Sequence, residues 1–419
     1  MSVCRPGVKE NSMKVMVANN YYYMRGGAER VMFNDMRALS ESGADVIPFS
    51  AIDDANTPSE HSAGFAQGVE VHATAPLRRA RAAREAIHCR RTAKAFAASL
   101  DKVQPDVLHC HNIYGRLTTS ILPVARRRHI PAVLTVHDYK LVCPSYLMLR
   151  DGKPCTACLD GGYYRCAVYK CHKQNAAASM VYAAEAYYAR STDSYGAISA
   201  FLCPSRFIAD LLVKSGISEQ RVIHHPNCIE PALYTPRYEG AYALYTGRLS
   251  HEKGINTLIA AMSGTGIPLR IAGGGPLEPA LRAQAQEAGS GIVLEGHCEG
   301  EHLAELYRNA AFVVVPSEWF ENAPMAVLEA FAYGKPVVGA RIGGIPELIT
   351  DGENGYLFES GNRDELRATL HKLWADKPGR QRMGYAARRL VETKFSQETR
   401  TASLLSIYDS LSTTASVPR

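Results

Sequence analysis

Apolar runs of four to six residues alternate with amphipathic stretches along most of this chain. That alternation narrows the fold more than any other feature. Runs so short are strand-length, and a helix between two of them returns the chain so that the next strand lies parallel to the last. In the first half the pattern predicts strands at 14–18, 46–50, 106–109 and 132–136. Between the first two, Val31, Met32, Met36 and Leu39 recur at helical spacing within 28–42. In the second half strands are expected at 242–246, 268–272, 291–294, 311–315 and 336–339. Residues 223–236 carry three prolines and no period, which suits a linker. The expected architecture is α/β, with two doubly wound, Rossmann-like parallel-sheet domains and no internal repeat. The expected ranges are 13–225 and 226–395, with a C-terminal helix over 396–419 packing back toward the first domain.

A length of 419 residues accommodates two or three domains. A composition 46% hydrophobic and 21% charged excludes disorder, collagen-like repeats and a coiled coil. A net charge of only +6 excludes a dedicated nucleic-acid binder. Residues 1–14 lack the apolar core of a signal peptide. Nothing approaches the ~18 uncharged apolar residues of a membrane span; the nearest stretch, 176–189, is interrupted by Glu185. The expected location is cytoplasmic, with peripheral association at the inner face of the membrane left open.

In open α/β sheets ligands bind outside the carboxyl ends of the strands. Here those positions hold glycines, histidines, cations and carboxylates from both halves. Gly26-Gly27 precedes the first helix, where backbone N–H groups and the helix dipole can meet an anion; a plain strand-to-helix turn would read the same. Gly247-Arg248 with Lys253-Gly254 places two cations five residues apart beyond a strand end, suited to a diphosphate or to a solvated loop. Glu321 lies ahead of a helix that Pro324 should begin, and Glu329 should sit within it; carboxylates so placed could hold sugar and ribose hydroxyls. Gly343-Gly344 before Pro346-Glu347 repeats the glycine-then-helix pattern. His137, with Asp138 beside it, can hydrogen-bond a hydroxyl or polarise a reacting group. His109 and His111 form H-x-H without a third ligand and are not read as a metal site. The run AGGGPLE (272–278) fails as a dinucleotide fingerprint because Pro276 intrudes and Glu278 stands at the third glycine position. No Asp-x-Asp occurs to hold a bridging Mg²⁺.

These residues carry a resemblance. The segments YTGRLSHEKGINTLIAA (245–261), IAGGGP (271–276) and PSEWFENAPMAVLEAFAYGKPVVGARIGGIPELITDGENGYLF (316–358) closely resemble the donor-binding domain of the group 1, or family 4, retaining glycosyltransferases. NNYYYMRGGAERV (19–31), TVHD (135–138) and PSRFIADLL (204–212) extend the likeness into the first half. The resemblance implies the GT-B fold of two facing Rossmann-like domains, a nucleotide-diphosphate sugar donor, and a carbohydrate or lipid-linked acceptor. It implies catalytic roles for His137, Arg248, Lys253 and Glu321. It places Gly26, Gly27, Gly247, Gly274, Asn322, Ala323, Pro324, Met325 and Glu329, with Arg248, Lys253 and Glu321, around the donor. The family often has E-G-F-G where this chain has Glu321-Asn322-Ala323-Pro324. No cofactor is implied for catalysis, and the expected setting is cell-surface or exopolysaccharide assembly. A nucleotide-sugar 2-epimerase on the same fold and an inactive partner subunit are the rival readings.

Two features lie outside that resemblance. Cys143, Cys155, Cys158, Cys166 and Cys171 fall within 29 residues and are followed by His172. In a chain without secretory features this spacing suggests a structural zinc site in an insertion at about 143–175, with unliganded thiols as the alternative. Between Arg78 and Lys94 stand seven basic residues and one acidic, either a solvated helix face or an anionic-membrane contact.

Overall fold

The computed structural model of the protein describes residues 12–70, 74–289 and 291–415. The leader expectation on residues 1–11 and the end of the C-terminal helix at 416–419 lie outside the described residues. In chain order the strands are β1 (Lys14–Ala18), β2 (Asp45–Phe49), β3 (Val107–Cys110), β4 (Ala132–Thr135), β5 (Leu149–Arg150), β6 (Lys153–Pro154), β7 (Ile198–Cys203) and β8 (Val222–His224). They continue as β9 (Tyr242–Thr246), β10 (Leu269–Ala272), β11 (Ile292–Gly296), β12 (Ala310–Val315), β13 (Val337–Ala340) and β14 (Gly355–Phe358). Two six-stranded sheets result, β2-β1-β3-β4-β7-β8 and β11-β10-β9-β12-β13-β14, and every pairing in them is parallel. The small hairpin β5-β6 is antiparallel. The expectation of two doubly wound parallel sheets is met.

Strand order locates the site. The first sheet reverses direction between β1 and β3, the second between β9 and β12, and ligands bind at such switch points. The segments leaving these strands are Asn19–Gly27, His111, Gly247–Lys253 and Pro316–Glu321.

Side chains in a strand alternate between faces, and both faces of the first sheet are buried. Met16, Ala18, Ile47 and Leu108 pack into one cluster; Val15, Val17, Val107 and Val133 pack into the other. The second cluster is completed by Leu404 and Tyr408 of the C-terminal helix Gln397–Ala415, beside Met32, Met36 and Leu39 of the helix Gly27–Glu41. The last helix of the chain is thus part of the first domain's core. It is locked there by Arg400, whose Nε and Nη2 donate to the two carboxylate oxygens of Asp35, each at 2.8 Å.

Some expectations need correction. Five strands escaped the pattern: the two-residue hairpin strands β5 and β6, and β7, β8 and β14 of the large sheets. The run ISAFLC of β7 is apolar and strand-length and was legible, but β8 and β14 are short edge strands with little pattern. The expected linker 223–236 also begins too early. Ile223 and His224 pair with Leu202 and Cys203 as part of β8, so the connecting segment starts at His225.

Candidate active site

The carboxyl ends of the two sheets face each other across a cavity of about 220 Å³. Gly27, His137 and Asp138 line it from the first domain, and Trp319 and Glu321–Met325 from the second. Two helices begin at its wall, Gly27–Glu41 and Met325–Ala332. Pro324 is the residue before the second helix rather than its first residue. The Gly27 and Met325 ends lie against each other, so two N-terminal dipoles bear on one space.

Lys253 and Glu321, 68 residues apart in sequence, meet here. The Lys253 ammonium lies 2.7 Å from Glu321 Oε1, which also accepts from Ser317 Oγ at 2.6 Å. Lys253 stands 4.8 Å over the Trp319 ring. Burial alone would raise the Glu321 carboxyl, but the adjacent ammonium and the two hydrogen bonds outweigh it, and Glu321 is held ionised below its ordinary range. The loop that carries Glu321 rests on glycines. Gly343 has φ +59°, and a Cβ there or at Gly344 would lie inside the backbone of Glu321 and Asn322. Gly344 N–H donates to Glu321 O at 2.7 Å. The second glycine pair therefore supports the carboxylate loop.

Asn322 ties the domains together. Its Nδ2 donates to Val136 O at 2.8 Å, and its Oδ1 accepts from Ser205 Oγ at 2.8 Å. Both ends of the amide are thus engaged, and the Ala323 and Pro324 carbonyls accept from Asn227 Nδ2 at 3.2 Å and Val327 N–H at 3.1 Å. Tyr139 OH donates to Phe320 O across the same seam at 2.9 Å.

Glu329 sits mid-helix, buried, and accepts from Tyr307 OH at 2.9 Å and from Arg30 Nη1. Arg30 comes from the first domain, so this carboxylate is held from both sides of the cleft. Neither partner was singled out in the sequence, although Arg30 lies in the quoted NNYYYMRGGAERV segment. Asp138, which the sequence offers only as the neighbour of His137, is a further functional candidate. It lines the cavity, and burial pushes its carboxyl up to about 6 despite the Lys140 backbone N–H and ammonium. Arg248 extends exposed from the β9 end. Its backbone carbonyl accepts from Tyr245 OH at 2.9 Å. Gly247 and Gly274 flank it in close-packed loops, where Gly247 N–H meets Ala272 O and Leu249 N–H meets Gly274 O, both at 3.0 Å.

Next to Asp138 a second cavity of about 230 Å³ opens between the helices Pro76–Ile87 and Ala176–Ser191. Val69, Ala83, Ala86 and Val181 give it apolar walls, and a buried Lys140–Glu185 ion pair at 2.5 Å lies at its lining. Arg79 of the basic arm lines it. Arg78 pairs with Glu70, and Arg81 and Arg91 with Glu85, while Arg79 and Arg84 make no ion pair among the described residues. The helix Pro76–Ile87 has no buried residue, and Leu77 is 87% exposed.

Cys143, Cys155, Cys158, Cys166 and Cys171 line one small cavity, all as free thiols. Among the described residues, however, no three His, Cys, Asp or Glu side chains are grouped so as to hold a metal ion. The five thiols gather around one space, and Cys166 and Cys171 hydrogen-bond each other.

The Glycosyltransferase Family 4 model matches residues 25–233, and the Glycosyl transferases group 1 model matches residues 235–390. The chain belongs to the group 1, family 4 glycosyltransferases. An uncharacterized glycosyltransferase of Methanocaldococcus jannaschii is 28% identical over 214 residues, which is 50% of this chain and 59% of that protein. The chain thus spans little more than half the length of that relative. Among solved structures, sucrose-phosphate synthase from Thermosynechococcus elongatus superposes with a TM-score of 0.69 at 19% identity, over 95% of this chain and 99% of its own. The Anabaena protein HepE, in complex with UDP-glucose, superposes with a TM-score of 0.65 at 15% identity, over 95% and 100%. This glycosyltransferase has the GT-B fold, and its paired cavity residues lie in the cleft between the two domains. No described helix is long and apolar enough to cross a membrane.

Proposed function

We propose that this glycosyltransferase moves a sugar from a nucleotide diphosphate to an acceptor hydroxyl with retention of anomeric configuration. The observation that carries this reading is the convergence of Lys253–Glu321, His137–Asp138 and two helix N-termini on one interdomain cavity. The sugar–phosphate C–O bond breaks, and negative charge grows on the departing diphosphate. Lys253 and the N-terminal N–H groups at Gly27 and Met325 oppose that charge from fixed positions, and the exposed Arg248 adds a second cation from the β9 end. The new C–O bond forms on the same face, and the acceptor's proton passes to the departing phosphate. Glu321 faces the transferred sugar, and Glu329 takes the ribose hydroxyls. HepE, which has the same fold, was solved with UDP-glucose, in keeping with such a donor.

The acceptor reading follows from the neighbouring cavity. Apolar walls with Arg79 at the lining suit an amphiphilic, lipid-linked acceptor with an anionic head at a membrane surface, as in cell-surface polysaccharide assembly. The experiment that tests the function is a panel of UDP-, GDP- and ADP-sugars, scored by thermal stabilisation and by hydrolysis. NMR of the transferred sugar then reports its configuration. Stabilisation by one donor class and an α-product from an α-donor are expected; an inverted product overturns retention.

Arg30 and Tyr307 occupy one site on each Glu329 oxygen, and a carboxylate has about four, so room for ribose hydroxyls remains. Arg30→Ala should therefore loosen Glu329 and weaken nucleoside diphosphate binding about tenfold, or about 1.4 kcal/mol, with a smaller change in kcat. Titration calorimetry with UDP and GDP measures this. Unchanged or tighter binding would show that Arg30 does not orient the ribose anchor.

A further inference from the structure

His137 ends a row of three imidazoles. Tyr408 OH lies 2.7 Å from His109 Nδ1, and His109 Nε2 lies 2.8 Å from Thr135 Oγ1. The His109 and His111 rings pack with centroids 4.3 Å apart. His111 Nδ1 is 2.8 Å from His137 Nε2, with the two ring planes 19° apart. Burial is the largest cause holding all three neutral: His109 falls to about 4, His137 to about 3, and His111 well below its ordinary value.

Two neutral imidazole nitrogens share one hydrogen-bond proton, so one ring must donate. Suppose His137 donated from Nε2. His111 would then carry its own proton on Nε2, which is buried with no partner among the described residues. Orphaned buried N–H groups are rare, and each forfeits a hydrogen bond made in water. If His111 donates from Nδ1, the orphan is only a lone pair on Nε2, the smaller penalty. We propose that His111 is a positioning residue that donates from Nδ1 to His137 Nε2 and so holds His137 as its Nδ1–H tautomer. Tyr408 and Thr135 fix the adjacent His109 ring, against which His111 is packed.

The consequence deepens the proposed transfer reaction and rests on it. A neutral His137 with its proton on Nδ1 and its Nε2 lone pair engaged has no free basic nitrogen. In the cavity it is a hydrogen-bond donor to an oxygen of the sugar, and it does not take the acceptor's proton. That proton must go elsewhere, in agreement with its passage to the departing phosphate.

The test is long-range ¹H–¹⁵N NMR of the histidine rings in the full chain at neutral pH, with assignment by single replacement. His137 should show a protonated Nδ1 and an unprotonated Nε2. In His111→Leu it should revert toward the Nε2–H form. In His111→Asn, whose Nδ2 stands where His111 Nδ1 stood, the Nδ1–H form should persist. With a donor in hand, His111→Leu should lower kcat about 10- to 100-fold and move the donor KM less than about threefold, while His111→Asn recovers most of the loss. An Nε2–H tautomer at His137 in the unaltered protein overturns the proposal, whatever the reaction. Equal losses in the Leu and Asn variants overturn it too. The stated tautomer without transfer from any donor would uphold the hydrogen-bond assignment and count against the function.

Discussion

Lys253→Ala is expected to lower kcat about 100- to 1,000-fold in a protein that still folds. The ammonium is fixed before any substrate arrives, by Glu321 at 2.7 Å and by the Trp319 ring. A charge held in place in a cleft pays no reorganisation cost when the leaving diphosphate develops its own. Lys253→Arg keeps the charge but replaces a point donor with a planar fork, and should retain part of the rate. The substitution also strips Glu321 of its counter-charge. With burial then unopposed by Lys253, the Glu321 carboxyl should move up, and residual activity should fall off at a higher pH than in the parent. Steady-state kinetics at saturating donor, with separate nucleotide binding, distinguish the two effects. Unchanged kcat would remove Lys253 from leaving-group stabilisation.

The largest effect on stability is expected at the Arg400–Asp35 pair, beside the segment that connects the two domains. Arg400→Ala should cost about 3–5 kcal/mol, because it leaves Asp35 buried and unpaired where both side chains are 2% exposed. Arg400 also donates from Nη1 to Pro226 O at 2.6 Å, so the connecting segment loses an anchor as well. Burial opposes the Asp35 charge, but the Arg400 guanidinium overrides it and holds the carboxyl below its ordinary value. A carboxylate depressed in the folded state contributes stability above its unfolded pKa and loses it as pH falls through the folded one. Without Arg400 the folded value rises instead, and stability is lost as pH rises through it. The penalty of Arg400→Ala should therefore be small in acid and grow toward neutrality. Asp35→Leu combined with Arg400→Met should recover most of it. Urea unfolding between pH 4 and 7 measures the penalty, and hydrogen exchange in Gln397–Ala415 shows where the structure opens. A pH-independent loss would mean that packing, rather than charge, holds the helix.

Much of this glycosyltransferase was legible in the chain because the signals are local. Hydrophobic period marks strands, and in a parallel sheet strand ends mark the cleft, so His137, Lys253 and Glu321 could be named before their positions were known. Motif order was legible for the same reason, since each motif is one strand end with its following turn. Residues whose role depends on a distant partner were not legible. Arg30 reads as one more helix arginine until Glu329, 299 positions away, is placed against it. Asn322 reads as a departure from a family pattern until Val136 and Ser205 close on both ends of its amide. His111 reads as half of an incomplete metal motif until β3 and β4 pair and set its ring against His137. The cysteines were legible as a local group, and packing sets all five around one small cavity. The sequence by itself determined two parallel sheets and the edge at which they bind, since burial and backbone pairing impose a period on neighbouring residues. Only the tertiary structure decided which charges meet, which imidazoles touch, and which residues anchor the C-terminal helix in the first domain, because those energies depend on distances between residues far apart in the chain.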